Sequence, residues 1–300
     1  MSNYQHAILE SVPTLGRYLF FSLGSSAPAD LQQGLDRLAG LVDGRQVLVG
    51  FGPELVQALG ARVPGLHGFA ALAGPGVVVP STPLALCCWL RGHDQGVLVH
   101  LTRQLQQALA PALQLQQVVD AFRHGQGPNG HGRDLTGYED GTENPEDDDA
   151  VAAALVQGAG DGLDGGSFMS LQQWLHDLDA FDAMSQVAQD HMVGRRRSDN
   201  EELMDAPESA HVKRTAQESF EPPAFVLRRS MPWAAGTQCG LMFVAFGCSF
   251  DAFEAQMRRM AGYDDGLVDA MFGISRPLTG AHFWCPPMRD ARLDLRQLGR

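Results

Sequence analysis

Twice along this chain an apolar strand gives way to an amphipathic helix and returns as a strand, and a glycine-rich break separates the two rounds. Residues 17–23 are apolar and aromatic, as a buried strand requires. Residues 28–42 follow, with Leu31, Leu35, Leu38 and Leu41 at helical spacing, and 46–51 form a second strand candidate. Pro53 opens a short helix at the first-turn position, where a missing N–H costs nothing. The pattern then recurs: a buried-looking strand at 84–90, a helix at 95–110 with Leu98, Leu101, Leu105 and Leu109 on one face, and a strand at 113–122. Strand-helix-strand twice is what a ferredoxin-like α+β unit requires. The segment His124-Gly125-Gln126-Gly127-Pro128-Asn129-Gly130-His131-Gly132 interrupts this rhythm with linker composition. It sets a boundary between a unit at 1–125 and a second at 134–300. The second unit repeats the theme, with strands at 166–174, 224–229, 239–247 and 281–285 and helices at 178–193 and 250–261. The halves share no obvious residue-level identity, so the repeat is architectural.

Three hundred residues suffice for two such units, and an apolar fraction of 44% is ordinary for a globular chain. A net charge of −13 excludes nucleic acid and disfavours anionic lipid as partners, since both demand a basic face. No apolar run approaches bilayer length. The start, Met1-Ser2-Asn3-Tyr4-Gln5-His6, lacks a basic region followed by an apolar one, so no secretory signal is expected. The five cysteines lack zinc-like spacing, and Cys87, Cys239 and Cys285 read as core thiols. These features fit a reducing cytoplasm.

The chemistry concentrates in Gly137-Tyr138-Glu139-Asp140-Gly141-Thr142-Glu143-Asn144-Pro145. Asp-Gly and Asn-Pro are turn dipeptides, and a surface turn accounts for the local pattern by itself. Glycines on both sides also permit positive φ and close approach, which lets a carboxylate be aimed. The acidic run 146–149 reads as a solvated helix start ahead of an apolar helix at 150–156, rather than as a cation site.

Further along come His211, in Ser209-Ala210-His211-Val212-Lys213-Arg214, and Arg228, in Phe225-Val226-Leu227-Arg228-Arg229-Ser230-Met231-Pro232. A Gly-x-x-Asp-Gly element with Thr-Glu-Asn-Pro after it, then this His, then this Arg, resembles the dye-decolorising peroxidases, most closely their short bacterial class. The resemblance spans most of the chain. It implies two ferredoxin-like halves, with one haem b per chain held in the C-terminal half. It also implies a haem-dependent peroxidase that reduces hydrogen peroxide and oxidises dye-like, phenolic or porphyrinogen donors in one-electron steps. A haem storage, transfer or sensing protein with incidental activity is the alternative, and a cofactor-free α+β dimer is a third reading.

The resemblance carries over residue by residue. His211 matches the axial iron ligand, and His6 and His67 lie outside any such context. His176 and His191 read as structural or surface groups. Asp140 matches the distal carboxylate that moves a proton between the two peroxide oxygens, and Arg228 matches its cationic partner. Successive strand residues point to opposite faces, so only one of Arg228 and Arg229 can face the haem. Arg195, after Gly194, matches an arginine near the haem propionates. Asp269 is a candidate acceptor for the second imidazole nitrogen or, equally, a helix-surface aspartate; Asp264 and Asp265 read as turn residues. Close relatives often carry Asn where this chain has Ser230, a shorter group with fewer donors. Tyr138, Trp174, Trp233 and Trp284 are candidate radical relays, though packed aromatics explain them too. A homo-oligomer is expected. The ending, Leu293-Asp294-Leu295-Arg296-Gln297-Leu298-Gly299-Arg300, has no docking extension of the kind that sends some relatives into nanocompartments.

Overall fold

Alternation along β1 (Leu15–Leu23) organises the first half. Tyr18 and Phe20 point into one apolar cluster, and Leu19 and Phe21 point into another. The chain continues through α1 (Pro28–Ala39), β2 (Val47–Phe51), α2 (Pro53–Ala58), a hairpin of β3 (Leu72–Gly74) and β4 (Val77–Val79), β5 (Leu86–Gly92), α3 (Gln95–Leu109) and β6 (Leu113–Phe122). The second half contributes α4 (Asp147–Ala154), β7 (Ser167–His176), α5 (Leu178–Asp182), α6 (Gln186–Val193), α7 (His211–Arg214), β8 (Leu227–Arg228), β9 (Met231–Ala235), β10 (Gln238–Gly247), α8 (Asp251–Met260), β11 (Ser275–Pro277) and β12 (Ala281–Cys285). A small hairpin of β13 (Met288–Arg289) and β14 (Arg292–Leu293) ends it. This computed structural model describes residues 3–25 and 27–299. Met1, Ser2 and Arg300, on which the expectations for the two ends partly rest, lie outside the described residues, as does Ser26.

The fold is a mixed α/β one with antiparallel strand pairing throughout. The main sheet has ten strands in the order β11-β7-β12-β2-β5-β1-β6-β9-β10-β8, and a further pairing of β7 with β10 closes it on itself. The two halves meet at single bridges, Trp284 to Phe51 and Ala121 to Trp233. Between them lies a core of Tyr18, Phe20, Trp89, Met169, Leu171, Met231, Val244, Phe246 and Phe283. Tyr18 and Trp89 stack there with centroids 5.6 Å apart. Each such fully buried side chain contributes about 1.5–3 kcal/mol of transfer free energy. The first half covers its outer face with α1 and α3 through Leu35, Leu38, Leu98, Leu105 and Leu109. In the second half α8 packs Phe253 and Met257 near Trp174 and Ala245.

Three expectations need correction. The helix expected over 178–193 is two, because Ser185 restarts the chain by accepting the Ala188 N–H at 3.3 Å. The strand expected over 224–229 shrinks to Leu227–Arg228. Pro222 and Pro223 precede it, and the Val226 N–H donates to Gln217 Oε1 at 2.9 Å instead of to a ladder. Cys239 is only half-buried, whereas Cys87 and Cys285 are core thiols. No helix among the described residues is long and apolar enough to cross a membrane.

Candidate active site

His211 opens the short helix α7, which packs on α8. Its Nδ1 donates to Asp269 Oδ2 at 2.8 Å. The Asp269 side chain is wholly buried, and its other oxygen accepts the Met271 N–H at 2.9 Å. The Asp269 N–H in turn donates to the Met260 carbonyl at 2.8 Å, so the carboxylate cannot swing. Asp269 is therefore a buried partner of the imidazole and not a surface residue, while Asp264 and Asp265 pair with Arg258 and Arg214. Burial pulls the His211 pKa down, but the charge and hydrogen bond of Asp269 outweigh it and leave the pKa raised. With Nδ1 engaged, Nε2 is the nitrogen free to bind a metal.

Asp140 reaches the same cavity on a loop that its glycines make possible. Gly137 and Gly141 adopt φ of +85° and +79°, a region that other residues avoid. The loop is tied down at its start. Asp134 accepts from the Thr136 N–H at 3.1 Å and from the Thr136 hydroxyl at 2.7 Å, and it pairs with His176 Nε2 at 3.2 Å. His176 Nδ1 meets Ser275 Oγ at 2.7 Å, so the loop is anchored across β7 to β11. Burial raises the Asp140 pKa; Arg228 opposes the shift and the Asp134 charge adds to it, with the net result upward.

Asp134 itself is held down to about 2. Burial pushes it up, but the hydrogen bond and charge of His176 and the Thr136 donors prevail. A depressed carboxylate stabilises the fold fully above its unfolded value of 3.8 and loses that contribution as pH falls through about 2. On the order of 2 kcal/mol is at stake. Asp134→Asn should therefore lower Tm at neutral pH, and its deficit against the unchanged chain should shrink between about pH 4 and pH 2. A deficit constant with pH in thermal melts would refute the pairing.

Arg228 lies on β8 and is aimed by Asn144. The Asn144 Oδ1 accepts the Arg228 N–H at 2.7 Å, and its Nδ2 donates to the Arg228 carbonyl at 3.1 Å. The sequence marked Asn144 as part of a turn and of the Thr-Glu-Asn-Pro element, and nothing local could show that its amide grips a strand 84 residues away. Asn144→Ala takes the side-chain acceptor from the Arg228 N–H and leaves the Arg228 carbonyl only Arg229 Nη1 at 3.1 Å, and should cost about 1–3 kcal/mol. It should also slow the reaction with peroxide by letting Arg228 drift. Equal melting and equal peroxide rates in the variant would exclude this role. Arg229 turns the other way and donates to the Leu9 carbonyl at 2.6 Å. The Ser230 hydroxyl accepts the Val244 N–H at 3.3 Å.

Asp140, His211 and Arg228 line one cavity with Trp174, His176, Leu241, Phe243, Phe253, Met257, Met260 and Met271. The residues fit a haem. The walls are apolar, one imidazole offers Nε2, and the buried Nε of Arg228 has no hydrogen-bond partner. Asp140 and Arg228 also line a second, cationic cavity with Arg123, His124, His131, Arg133, Arg229 and Ser230. Arg195 is outside both linings and pairs with Glu143 at 2.6 Å and Glu202 at 3.2 Å. Of the four relay candidates only Trp174 lines the His211 cavity. The Trp233 N–H donates to the Trp174 carbonyl at 2.9 Å, Trp284 is wholly buried, and Tyr138 bonds Asp190.

The family model for the C-terminal part of the Dyp-type peroxidases matches residues 131–290, more than half of the chain and the part that carries Asp140, Arg195, His211, Arg228 and Asp269. The chain belongs to the Dyp-type peroxidase family. As a member it is a haem-dependent peroxidase, an enzyme whose oxidant is hydrogen peroxide and whose donors are organic molecules. The dye-decolorizing peroxidase of Brevibacterium linens is 27% identical over 94% of this chain and 80% of its own length. That of Mycobacterium tuberculosis is 25% identical over 93% and 87%. Among solved structures, a DypB variant of Rhodococcus jostii in complex with heme superposes with a TM-score of 0.84 at 27% identity, covering 93% of this chain and 95% of that one. A Dyp-type protein from Shewanella oneidensis shares the fold at a TM-score of 0.88, with 24% identity over 99% and 98%.

Proposed function

We propose that this Dyp-type peroxidase holds one haem b per chain through His211, with Asp140 and Arg228 acting on hydrogen peroxide and Asp269 orienting the ligand. The observation that carries the reading is a single cavity lined by the Asp269-tethered imidazole and by the carboxylate–guanidinium pair. When bound, the haem supplies the electrons for cleaving the O–O bond. Asp140, raised in pKa by burial yet countered by Arg228, takes a proton from one peroxide oxygen and returns it to the other. Arg228 stabilises the negative charge that grows on the departing hydroxide, which leaves as water. Asp269 gives the imidazole imidazolate character and so strengthens its donation to iron. The cationic second cavity, which shares Asp140 and Arg228, is the entry route for peroxide.

Every residue of the His211 cavity lies between 140 and 275, which supports haem binding by the C-terminal half. Both halves run in the ferredoxin-like order 4-1-3-2, as β6-β1-β5-β2 and as β12-β7-β10-β9, which supports units at 1–125 and 134–300. Dye-like, phenolic and porphyrinogen donors remain the substrates we infer, with Trp174 the relay for those too large to enter. We infer a cytoplasmic homo-oligomer as well.

The absorption spectrum of the purified protein tests the core of this reading. His211→Ala should abolish the axially ligated Soret spectrum and the peroxide reaction together. An unchanged spectrum would remove His211 as ligand. A haem carrier, by contrast, predicts peroxide rates indifferent to Asp140→Ala and Arg228→Ala.

A further inference from the structure

A second cluster of chemically active side chains stands apart from the haem cavity. His67 comes from the loop after α2, Glu254 from α8 and His282 from β12, so the cluster joins the two halves of the chain. One nitrogen from each histidine and one oxygen of Glu254 lie within 4.8 Å of one another. His67 Nε2 meets Glu254 Oε1 at 2.9 Å, and His282 Nδ1 stands 3.9 Å from the same oxygen.

The decisive member is His282. Its side chain is wholly buried, and neither ring nitrogen has a hydrogen-bond partner. Buried polar groups are nearly always paired, because leaving one unpaired forfeits its hydration without return. The ring stacks on Phe250 at 3.8 Å and 3°, with Phe69 and Phe253 at its edges, so apolar walls close off most directions. The His67 main chain lies close enough to act on the ring electrostatically, but not in the geometry of a full hydrogen bond. What remains on the open side is the Glu254 carboxylate, itself shared with His67. His67 is prepared in the way metal-binding histidines are, for its Nδ1 donates to the Gly65 carbonyl at 3.0 Å and so turns Nε2 toward the carboxylate. A cation between the three groups gives His282 Nδ1, Glu254 and His67 Nε2 one shared partner.

We propose that His67, Glu254 and His282 form a binding site for a divalent first-row metal ion of zinc-like character, independent of the haem. Two imidazoles and a carboxylate suit such an ion, whereas Mg²⁺ and Ca²⁺ take oxygen ligands. Tetrahedral coordination at roughly 2.0–2.2 Å sets donors about 3.3–3.5 Å apart. His67 and Glu254 part slightly to reach this, and His282 closes on the carboxylate. His67, half exposed, has the freedom to adjust, and solvent supplies a fourth ligand from its side. The ion displaces any proton shared by His67 and Glu254, with no redox change. Bound there, it cross-links the loop of the first half to α8 and β12 of the second.

The test uses the haem-loaded protein, stripped by a chelator and titrated with Zn²⁺ by calorimetry and by competition with a coloured chelator. One saturable Zn²⁺ per chain is expected, together with a rise in Tm and an unchanged Soret band. Glu254→Gln and His67→Gln should each lower Zn²⁺ affinity more than about 10-fold with the Soret band intact. Both residues reach solvent, so these variants leave the core in place should His282→Gln fail to fold. Absence of saturable binding, equal affinity in Glu254→Gln and His67→Gln, or Mg²⁺ binding as tightly as Zn²⁺ would each overturn the assignment.

Discussion

Arg228→Leu should slow the reaction with hydrogen peroxide by about 10²–10³-fold and move the acid limb of its pH profile upward. The rate effect follows from the guanidinium's place beside Asp140 in the cavity. Removing one preorganised donor from a site of developing negative charge costs about 10²–10³ in rate. The effect should be large here because the buried Nε of Arg228 is tied to no protein group, and main-chain bonds to Asn144 fix the strand that presents it. The pH effect has a separate origin. In the proposed mechanism Asp140 works as a base first, so the reaction should fail as pH drops through its pKa. Burial already raises that pKa, and the Arg228 charge is the largest influence that lowers it. Without Arg228 the pKa climbs further, and activity is lost beginning at a higher pH. Stopped-flow mixing across a pH series reads both effects, and Asp140→Asn should erase the acid limb altogether. An unmoved limb in Arg228→Leu would mean that Asp140 is not the proton carrier, whatever happens to the rate.

Asp269→Asn should lower peroxidase activity about 10–100-fold, the usual result of removing a carboxylate behind a metal-bound histidine. An amide is nearly isosteric, and its oxygen can still accept the Met271 N–H. What it lacks is the charge that draws the Nδ1 proton of His211 at 2.8 Å in a fully buried setting. The imidazole then donates less to iron, the ferric state loses stabilisation, and the Fe(III)/Fe(II) potential should rise. Spectroelectrochemical titration separates this from a mere folding defect, which would lower haem content without shifting the potential of the haem that remains. A fall in potential, or none, would show that the Asp269–His211 bond does not tune the metal.

Much of this is legible in the sequence. Leucines at helical spacing fixed α1 and α3, because amphipathic periodicity depends on residues three and four apart. Asp-Gly and the glycine before Tyr138 announced a carboxylate on a turn, and both glycines do take positive φ. The order of Asp140, His211 and Arg228 pointed to the family. Strand alternation allowed only one of Arg228 and Arg229 into the site, the resemblance selected Arg228, and Arg229 turns toward Leu9.

Other features belong to the tertiary structure alone. Asp269 could be read with equal justice as surface or buried, since burial depends on what α7 and α8 bring against it. Arg195 pairs with Glu143 and Glu202, which meet it only once the loops are placed. The hairpin strand β9 went unseen, because the signal of Met231-Pro232-Trp233 depends on its partner β10. His67 seemed without context for the same reason, as Glu254 and His282 lie far along the chain. Local periodicity and backbone freedom are decided within one or two turns of chain, so a sequence displays them. The pairing of a buried polar group is decided by segments that meet only after both halves of the sheet have closed, and no short window of sequence contains both partners.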